Sequence, residues 1–364
     1  MKFCVICPHY EYIHRGTENM TRDINKILKK HGHETKVISI GTTNTLRKDK
    51  GLGKFSSTLE QKTQVGGFLR KYLGITSNIE DIVFTWKAYP IIETLSDDYD
   101  LLWSNGEFWC ANMLTKLKRK KNKPILIFFG GGISKMMQKE AEMLPDIFVV
   151  LTPTMEEWVK KRVPKCNVKC IPSGVDLKLF NKTKPLFKDK FEHPIVVSTS
   201  ALIEGKRVDM IVDAMHKLGK GTLFVTSNGP LRDKIVAKGE QLMGDRFKYL
   251  GVIPFEDLPK LYSMADVFVL GSRNEAYGAV IFEAMACGCP VVAQYDKTRK
   301  WMIGDKGVLV PPNKGLQSWA SAIELAWKKN IKNTREQAEK FSWEKTVEGY
   351  ENAIKEVLDG RKNN

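Results

Sequence analysis

Short apolar runs recur along this chain, and within each run the apolar residues are consecutive rather than alternating. KFCVIC, PILIFFGGG, DIFVVLTP, IVVSTS, TLFVTS, DVFVLGS and GVLVPP are of this kind. Between the runs lie stretches with helical stripes, such as Met20, Ile24, Ile27 and Leu28, or Val347, Tyr350, Ile354 and Val357. A strand that is apolar on both faces belongs in a parallel sheet covered on both sides, and strands alternating with amphipathic helices build such sheets. The pattern predicts an α/β protein with doubly wound parallel sheets.

At 364 residues the chain is too long for one ordinary core and suits two domains. One strand–helix series runs to DIFVVLTP, a turn-rich stretch follows from Cys170 to Pro194, and a second series opens at IVVSTS. The expected division is an N-terminal Rossmann-like domain over 1–172, a linker over 173–193 and a second Rossmann-like domain over 194–340. Residues 341–364 form a closing helix expected to pack back on the first domain. Residues 41 to 80 are polar and rich in Gly and Lys, with weak helical character around Phe68 to Leu73, and read as a mobile loop region. Two such domains would bring the carboxyl ends of their strands to a shared central cleft, where ligands bind in open α/β sheets.

Composition narrows the class. Seven cysteines, an odd number scattered through a long chain, describe no disulfide framework, and Cys4 and Cys7 lack the second ligand pair of a zinc site. The N-terminal apolar run is broken by Pro8 and His9, too early for a secretory segment, and no run approaches the roughly 18 apolar residues of a spanning helix. A cytoplasmic protein is expected. The net charge of +16 favours anionic partners: nucleotide phosphates, an acidic membrane surface or nucleic acid.

The stretch RNEAYGAVIFEAMACGCPVV, Arg273 to Val292, carries two glutamates eight residues apart in an otherwise small and apolar segment. It follows the strand DVFVLGS, so Glu275 falls in a strand-to-helix loop and Glu283 on the helix. Eight helical residues would set the two side chains roughly 80° apart, off a common face. With Glu275 in the loop, both can address one ligand lying across the helix start, whose N–H groups suit a phosphate. Two acceptors for hydroxyls beside an anion site match the groups of a sugar nucleotide. A capping carboxylate at Glu275 and a surface residue at Glu283 are the plainer alternative.

The segment resembles the E-x7-E signature of retaining glycosyltransferase family 4. Further stretches follow that family's order: CIPSGVD, SALIEGKRVDMIVDAM, SNGP, YLGVIP, LYSMADVFVLGS and the late FSW. The resemblance implies the GT-B fold and transfer of a sugar from a UDP- or GDP-linked donor to an acceptor hydroxyl, with retention. It implies Lys206 on the donor diphosphate and Glu275 at the donor sugar and leaving phosphate, these two being the catalytic candidates. It also implies Glu283 on the ribose hydroxyls, the backbone of Ala276, Tyr277 and Gly278 at the donor, and Gly251, Val252 and Ile253 along the base. Core packing is an equal alternative for the Tyr277 side chain. Neither a cofactor nor a metal is implied; Asp98-Tyr99-Asp100 spells the DxD of a different glycosyltransferase fold but precedes the strand LLWS as a strand entry.

Several positions depart from the family. Its phosphate-binding arginine aligns with Ala201, which leaves Arg207 as a substitute candidate. Its N-terminal glycine pair appears as Arg15-Gly16, where Arg15 either offers a guanidinium to phosphate or is a surface loop residue. The histidine that many members carry after the fourth strand is replaced by Phe129 or Gly130, and Gly130-Gly131-Gly132 read either as opening a helix that faces an anion or as a strand-to-helix turn. The acceptor is expected to be a glycan or lipid-linked sugar. The basic run Lys116, Lys118, Arg119, Lys120, Lys121 and Lys123, with Lys160, Lys161 and Arg162, is a solvated face or a contact for an anionic membrane surface. A nucleic acid acceptor is the lesser alternative, lacking the interleaved aromatics of a single-strand binder. From another class, the chain could be a nucleotide-sugar-binding protein of weak activity.

Overall fold

The computed structural model of the chain describes residues 1–11, 16–41, 79–329 and 331–362. Most of the loop region read at 41 to 80, including Phe68 to Leu73, and also Arg15, lie outside the described residues. The chain divides into two compact units, Met1–Pro172 with Thr346–Asn364, and Ser173–Lys345.

The first unit runs β1 (Lys2–Ile6), α1 (Gly16–Lys30), β2 (Glu34–Ile38), α2 (Ile79–Leu95), β3 (Leu101–Asn105), α3 (Phe108–Lys121), β4 (Ile125–Phe129), α4 (Lys135–Ala141), β5 (Ile147–Val150), α5 (Pro153–Arg162) and β6 (Val168–Cys170). Its six described strands are all parallel, in the order β2-β1-β3-β4-β5-β6. The consecutive apolar residues of β3, β4 and β5 are buried throughout, as a sheet covered on both faces requires. Helix starts are set by short polar side chains: Ser134 Oγ accepts from Met137 N, and Thr152 Oγ1 from Met155 N. Asp100, half of the apparent DxD, accepts from the Lys2 N–H at 2.7 Å and thereby ties the entries of β1 and β3.

The second unit continues with β7 (Ile195–Ser198), α6 (Val208–Leu218), β8 (Thr222–Val225), α7 (Arg232–Met243), β9 (Phe247–Tyr249), α8 (Leu258–Met264), β10 (Val267–Leu270), α9 (Val280–Ala286), β11 (Val291–Gln294), α10 (Lys297–Ile303), β12 (Gly307–Val310), α11 (Leu316–Lys328) and α12 (Thr334–Ala338). The strands are again all parallel, ordered β12-β11-β10-β7-β8-β9. From β7 the chain winds outward through β8 and β9, then returns to lay β10 against the other side of β7. Neighbouring loops therefore diverge between β7 and β10, the switch point where such sheets bind ligands. Val196, Ile211, Leu223, Val269 and Ile323 are fully buried in the core of this unit. Each such side chain contributes about 1.5–3 kcal/mol.

The last helix, α13 (Trp343–Lys362), begins in the second unit, and from Thr346 onward it belongs to the first. There the ring of Tyr350 lies 4.6 Å from that of Trp103 on β3. Glu351 accepts from ring nitrogens of His31 and His33 at 2.8 and 2.9 Å, and Arg361 reaches Asp146 at 2.7 Å. All seven cysteines are free thiols, six of them buried. Among the described residues no helix is long and apolar enough to cross a membrane.

Candidate functional site

The loops leaving β7 and β10 carry the residues singled out in the sequence. A Cβ on Gly271, at the exit of β10, would lie 2.9 Å from the Lys206 carbonyl oxygen, so glycine is what lets the two loops pass this closely. Arg273 N–H donates to the Gly205 carbonyl at 3.3 Å across the same contact. Lys206 Nζ then donates to Glu275 Oε2 at 2.5 Å, with the two side chains only 26% and 15% exposed. The two catalytic candidates thus form one charge-assisted pair. Gly278 follows at φ +91°, a conformation that favours glycine.

Glu283 projects from α9 toward α8. Its Oε2 accepts from the Tyr262 hydroxyl at 3.2 Å, and that hydroxyl also lies 2.9 Å from Thr199 Oγ1, at the exit of β7. Glu283 keeps some access to solvent, yet burial pushes its carboxyl up to about 7 while the Tyr262 hydrogen bond pulls it down. A carboxyl so placed exists in both forms near neutral pH. Ionised, it can accept from a pair of adjacent hydroxyls.

Other predicted residues sort into backbone and core. Tyr277 is buried, donates its hydroxyl to the Ser173 carbonyl at 2.6 Å and packs 5.8 Å from the Phe282 ring, so the side chain serves the core. Ala276 beside it is half-buried. Gly251 has φ +67° and its carbonyl accepts from Ser227 N at 2.6 Å, Val252 is 74% exposed and Ile253 is half-buried; the three form a loop beyond β9. Arg207, at φ +53°, donates through Nη1 to Gln294 Oε1 at 3.1 Å and lies 5.7 Å over the Trp319 ring.

A family model described as glycosyl transferases group 1 matches residues 193–329, the stretch that holds this arrangement. Over these residues the chain is similar to group 1 glycosyltransferases, and its parallel-sheet architecture is that of the GT-B fold. It is 38% identical over 114 residues to the O-antigen chain mannosyltransferase B of Escherichia coli, a match covering 30% of each chain. It is 29% identical over 148 residues to the GDP-mannose-dependent alpha-(1-6)-phosphatidylinositol monomannoside mannosyltransferase of Mycolicibacterium smegmatis, covering 36% of this chain and 39% of that one. The chain therefore spans well under two thirds of the length of these curated relatives. Among solved structures, Anabaena HepE in complex with UDP-glucose superposes with a TM-score of 0.70 at 17% identity, over 99% of this chain and 100% of that one.

Three residues around this arrangement carry no local signal in the sequence: Thr199, Tyr262 and Arg299. Arg299 is 1% exposed; burial draws its guanidinium below its usual value, against the attraction of Asp296 and Glu275. Tyr262 lies in a segment whose family likeness was legible, but its bond to Glu283 spans 21 residues and follows no local pattern.

The first unit has its own switch point, between β1 and β3. Gly16 opens α1, and among the described residues a Cβ there would meet nothing within 4 Å. Nearby, His9 Nε2 and Asp81 Oδ1 lie 3.1 Å apart, both buried. Burial, and then the neighbouring Asp81, push Glu107 up to about 8; burial, and then Glu107, do the same to Glu140. Among the described residues no three His, Cys, Asp or Glu side chains form a group that could hold a metal ion.

One expectation for this unit is corrected. Gly130, Gly131 and Gly132 do not open a helix: α4 begins at Lys135 behind a serine cap and is only seven residues long. The basic run is also less free than its composition suggests. Lys118 pairs with Asp146 at 3.1 Å, Lys120 with Glu93 and Lys121 with Asp97 at 2.6 Å, while Lys123 donates to the carbonyls of Asp97 and Tyr99. Much of its charge neutralises acidic groups and helix ends of its own unit, which weakens the case for a membrane or nucleic acid contact there.

Proposed function

We propose that the chain is a retaining glycosyltransferase that moves a sugar from a UDP- or GDP-linked donor to a hydroxyl of a glycan or lipid-linked acceptor. The observation that carries this is the Lys206–Glu275 pair, which joins the loops leaving β7 and β10 at the switch point of the second sheet, with the Glu283 carboxyl on the helix that follows. The family match over the same residues supports it, as do the donors named for relatives: GDP-mannose for the mycobacterial enzyme and UDP-glucose for HepE.

In the reaction, the bond from the anomeric carbon to the diphosphate oxygen breaks, and the acceptor oxygen bonds to that carbon on the same face. The acceptor proton passes to the departing diphosphate. Negative charge grows on the leaving group, and the Lys206 ammonium, with three donors, can hold a phosphate oxygen while remaining on Glu275. Glu275 accepts from sugar hydroxyls and keeps the ammonium in place. Glu283 accepts from the ribose, and the open backbone around Gly278 lets phosphate approach. No metal enters this scheme, so turnover should persist in EDTA.

A thermal-shift screen with UDP, GDP, ADP and dTDP tests the donor half, because a ligand of the folded state raises its melting temperature. Stabilisation by UDP or GDP is expected. Glu275→Gln should keep the fold and lose about 10²-fold or more in nucleoside diphosphate release; near wild-type release would sink the assignment. Ala201, together with an Arg207 already engaged by Gln294 and Trp319, favours a second reading, a nucleotide-sugar binder of weak activity. Tight UDP or GDP binding without release from the corresponding sugar nucleotide would select it.

A further inference from the structure

Arg299 lies on α10, enclosed beneath the loop that carries Glu275, and cannot itself touch a ligand in the open site. Its Nη2 donates to the Ser272 carbonyl at 2.9 Å and the Arg273 carbonyl at 3.4 Å. Its Nη1 donates to the Gln294 carbonyl at 3.1 Å and pairs with Asp296 Oδ2 at 2.9 Å. Ser272 and Arg273 form the exit of β10, and Gln294 is the last residue of β11. One planar guanidinium therefore ties two adjacent strand exits.

The contacts close into a circuit. Gln294, held at its carbonyl by Arg299, accepts at Oε1 from Arg207. Arg207 follows Lys206 in the chain, Lys206 is bonded to Glu275, and Glu275 stands two residues beyond Arg273. Asp296 also caps α10 by accepting from Arg299 N at 2.7 Å, which fixes the base of the side chain as well as its tip. Burying a guanidinium is costly, and an apolar side chain of similar volume commonly serves stability as well or better. The Asp296 counter-charge is 42% exposed, so it offsets only part of that cost. What the buried arginine supplies, and an apolar residue could not, is directed hydrogen bonds to carbonyls on two strands.

We propose that Arg299 is a positioning residue of the donor site, holding Glu275 and Lys206 in register by clamping the exits of β10 and β11. The role rests on the sugar-transfer activity proposed above. A lysine at 299 would keep the charge but, as a point donor, could not span both exits.

Four forms decide it: wild type, Arg299→Met, Arg299→Lys and Gln294→Leu. The measurements are UDP release from UDP-glucose and GDP release from GDP-mannose, per folded molecule, together with hydrogen exchange of residues 272–279. Both Arg299 variants should lose about 10²-fold in kcat, with much smaller changes in KM, because a misplacement of about 1 Å at a reacting centre has that effect. Exchange in 272–279 should quicken in both. Gln294→Leu, which cuts only the Arg207 arm, should lose less.

Wild-type kcat in Arg299→Lys would overturn the clamp and leave charge alone as the cause. A loss of activity that merely tracks the folded fraction would overturn it in favour of plain packing. If Arg299→Met does not fold, the lysine variant and Gln294→Leu carry the same decision. If the wild type itself releases neither UDP nor GDP, the sugar-transfer activity falls, and wild-type exchange rates in 272–279 of Arg299→Lys would separately overturn the clamp.

Discussion

At Glu283 a carboxyl is pushed up to about 7, and the two hydroxyls of the proposed ribose can donate to both of its oxygens only when it is ionised. Affinity for UDP or GDP should therefore rise with pH through 7, by up to about tenfold per pH unit below it. Glu283→Gln should bind more weakly at pH 8 and lose most of that slope. Calorimetric titration of both proteins from pH 5.5 to 8.5 checks this, and parallel slopes would refute it. Glu275, Glu283 and Lys206 stood out as candidates because charged side chains interrupt otherwise small and apolar stretches or match the spacing of the family resemblance. Tyr262, which bonds Glu283 from another helix, and Thr199, which meets the Tyr262 hydroxyl from another strand exit, did not, since nothing local in YSM or STS marks a hydroxyl that will join such a chain. Arg299 was hidden for a similar reason: in DKTRKW it reads as one more surface cation.

The strand-to-helix element from Gly271 to Ala286 does its work through backbone shape. Gly278 at φ +91° leaves little room: an added Cβ would lie 3.1 Å from Glu275 Cγ. Gly278→Ala should cost about 1–2 kcal/mol of stability. Because Glu275 must yield, turnover per folded molecule should fall as well. Thermal unfolding and steady-state release, read together, check both parts; lost stability with unchanged turnover would mean that Glu275 is free to adjust. The elements themselves were mostly predictable, since runs such as ILIFF and IFVV can only be interior strands. Helix α2 was not, because Ile82, Val83, Phe84, Ile91 and Ile92 leave no clean stripe and Pro90 interrupts the segment. It folds as a helix with Phe84, Ala88, Ile91 and Ile92 buried, while Trp86 stays 76% exposed.

Over the whole molecule, Glu107 and Glu140 in one unit and Glu283 in the other share a displacement to higher pKa, to about 8, 8 and 7 from an ordinary 4.5. The folded state thus binds protons more tightly than the unfolded chain, so this contribution to stability is complete below about pH 4.5 and is lost as pH rises through 7 to 8. Glu324, held near 2 by Lys220 and Lys328, acts in the opposite sense but titrates below this window. The melting temperature should fall between pH 5 and 8, and Glu140→Gln should flatten that fall and melt a few degrees higher at pH 8. A steeper fall in the variant would contradict it. Sequence alone determined the fold class and the two series of strands, because apolar periodicity is local and reports burial directly, and it singled out Lys206, Glu275 and Glu283 as candidates. Tertiary structure decided the partners of the polar groups: Lys206 with Glu275 across 69 residues, Tyr262 with Glu283, Arg299 with two strand exits, and the basic run with its own acidic neighbours. Those pairings depend on which loops the strand order brings together, and strand order is a property of the sheet rather than of any one segment.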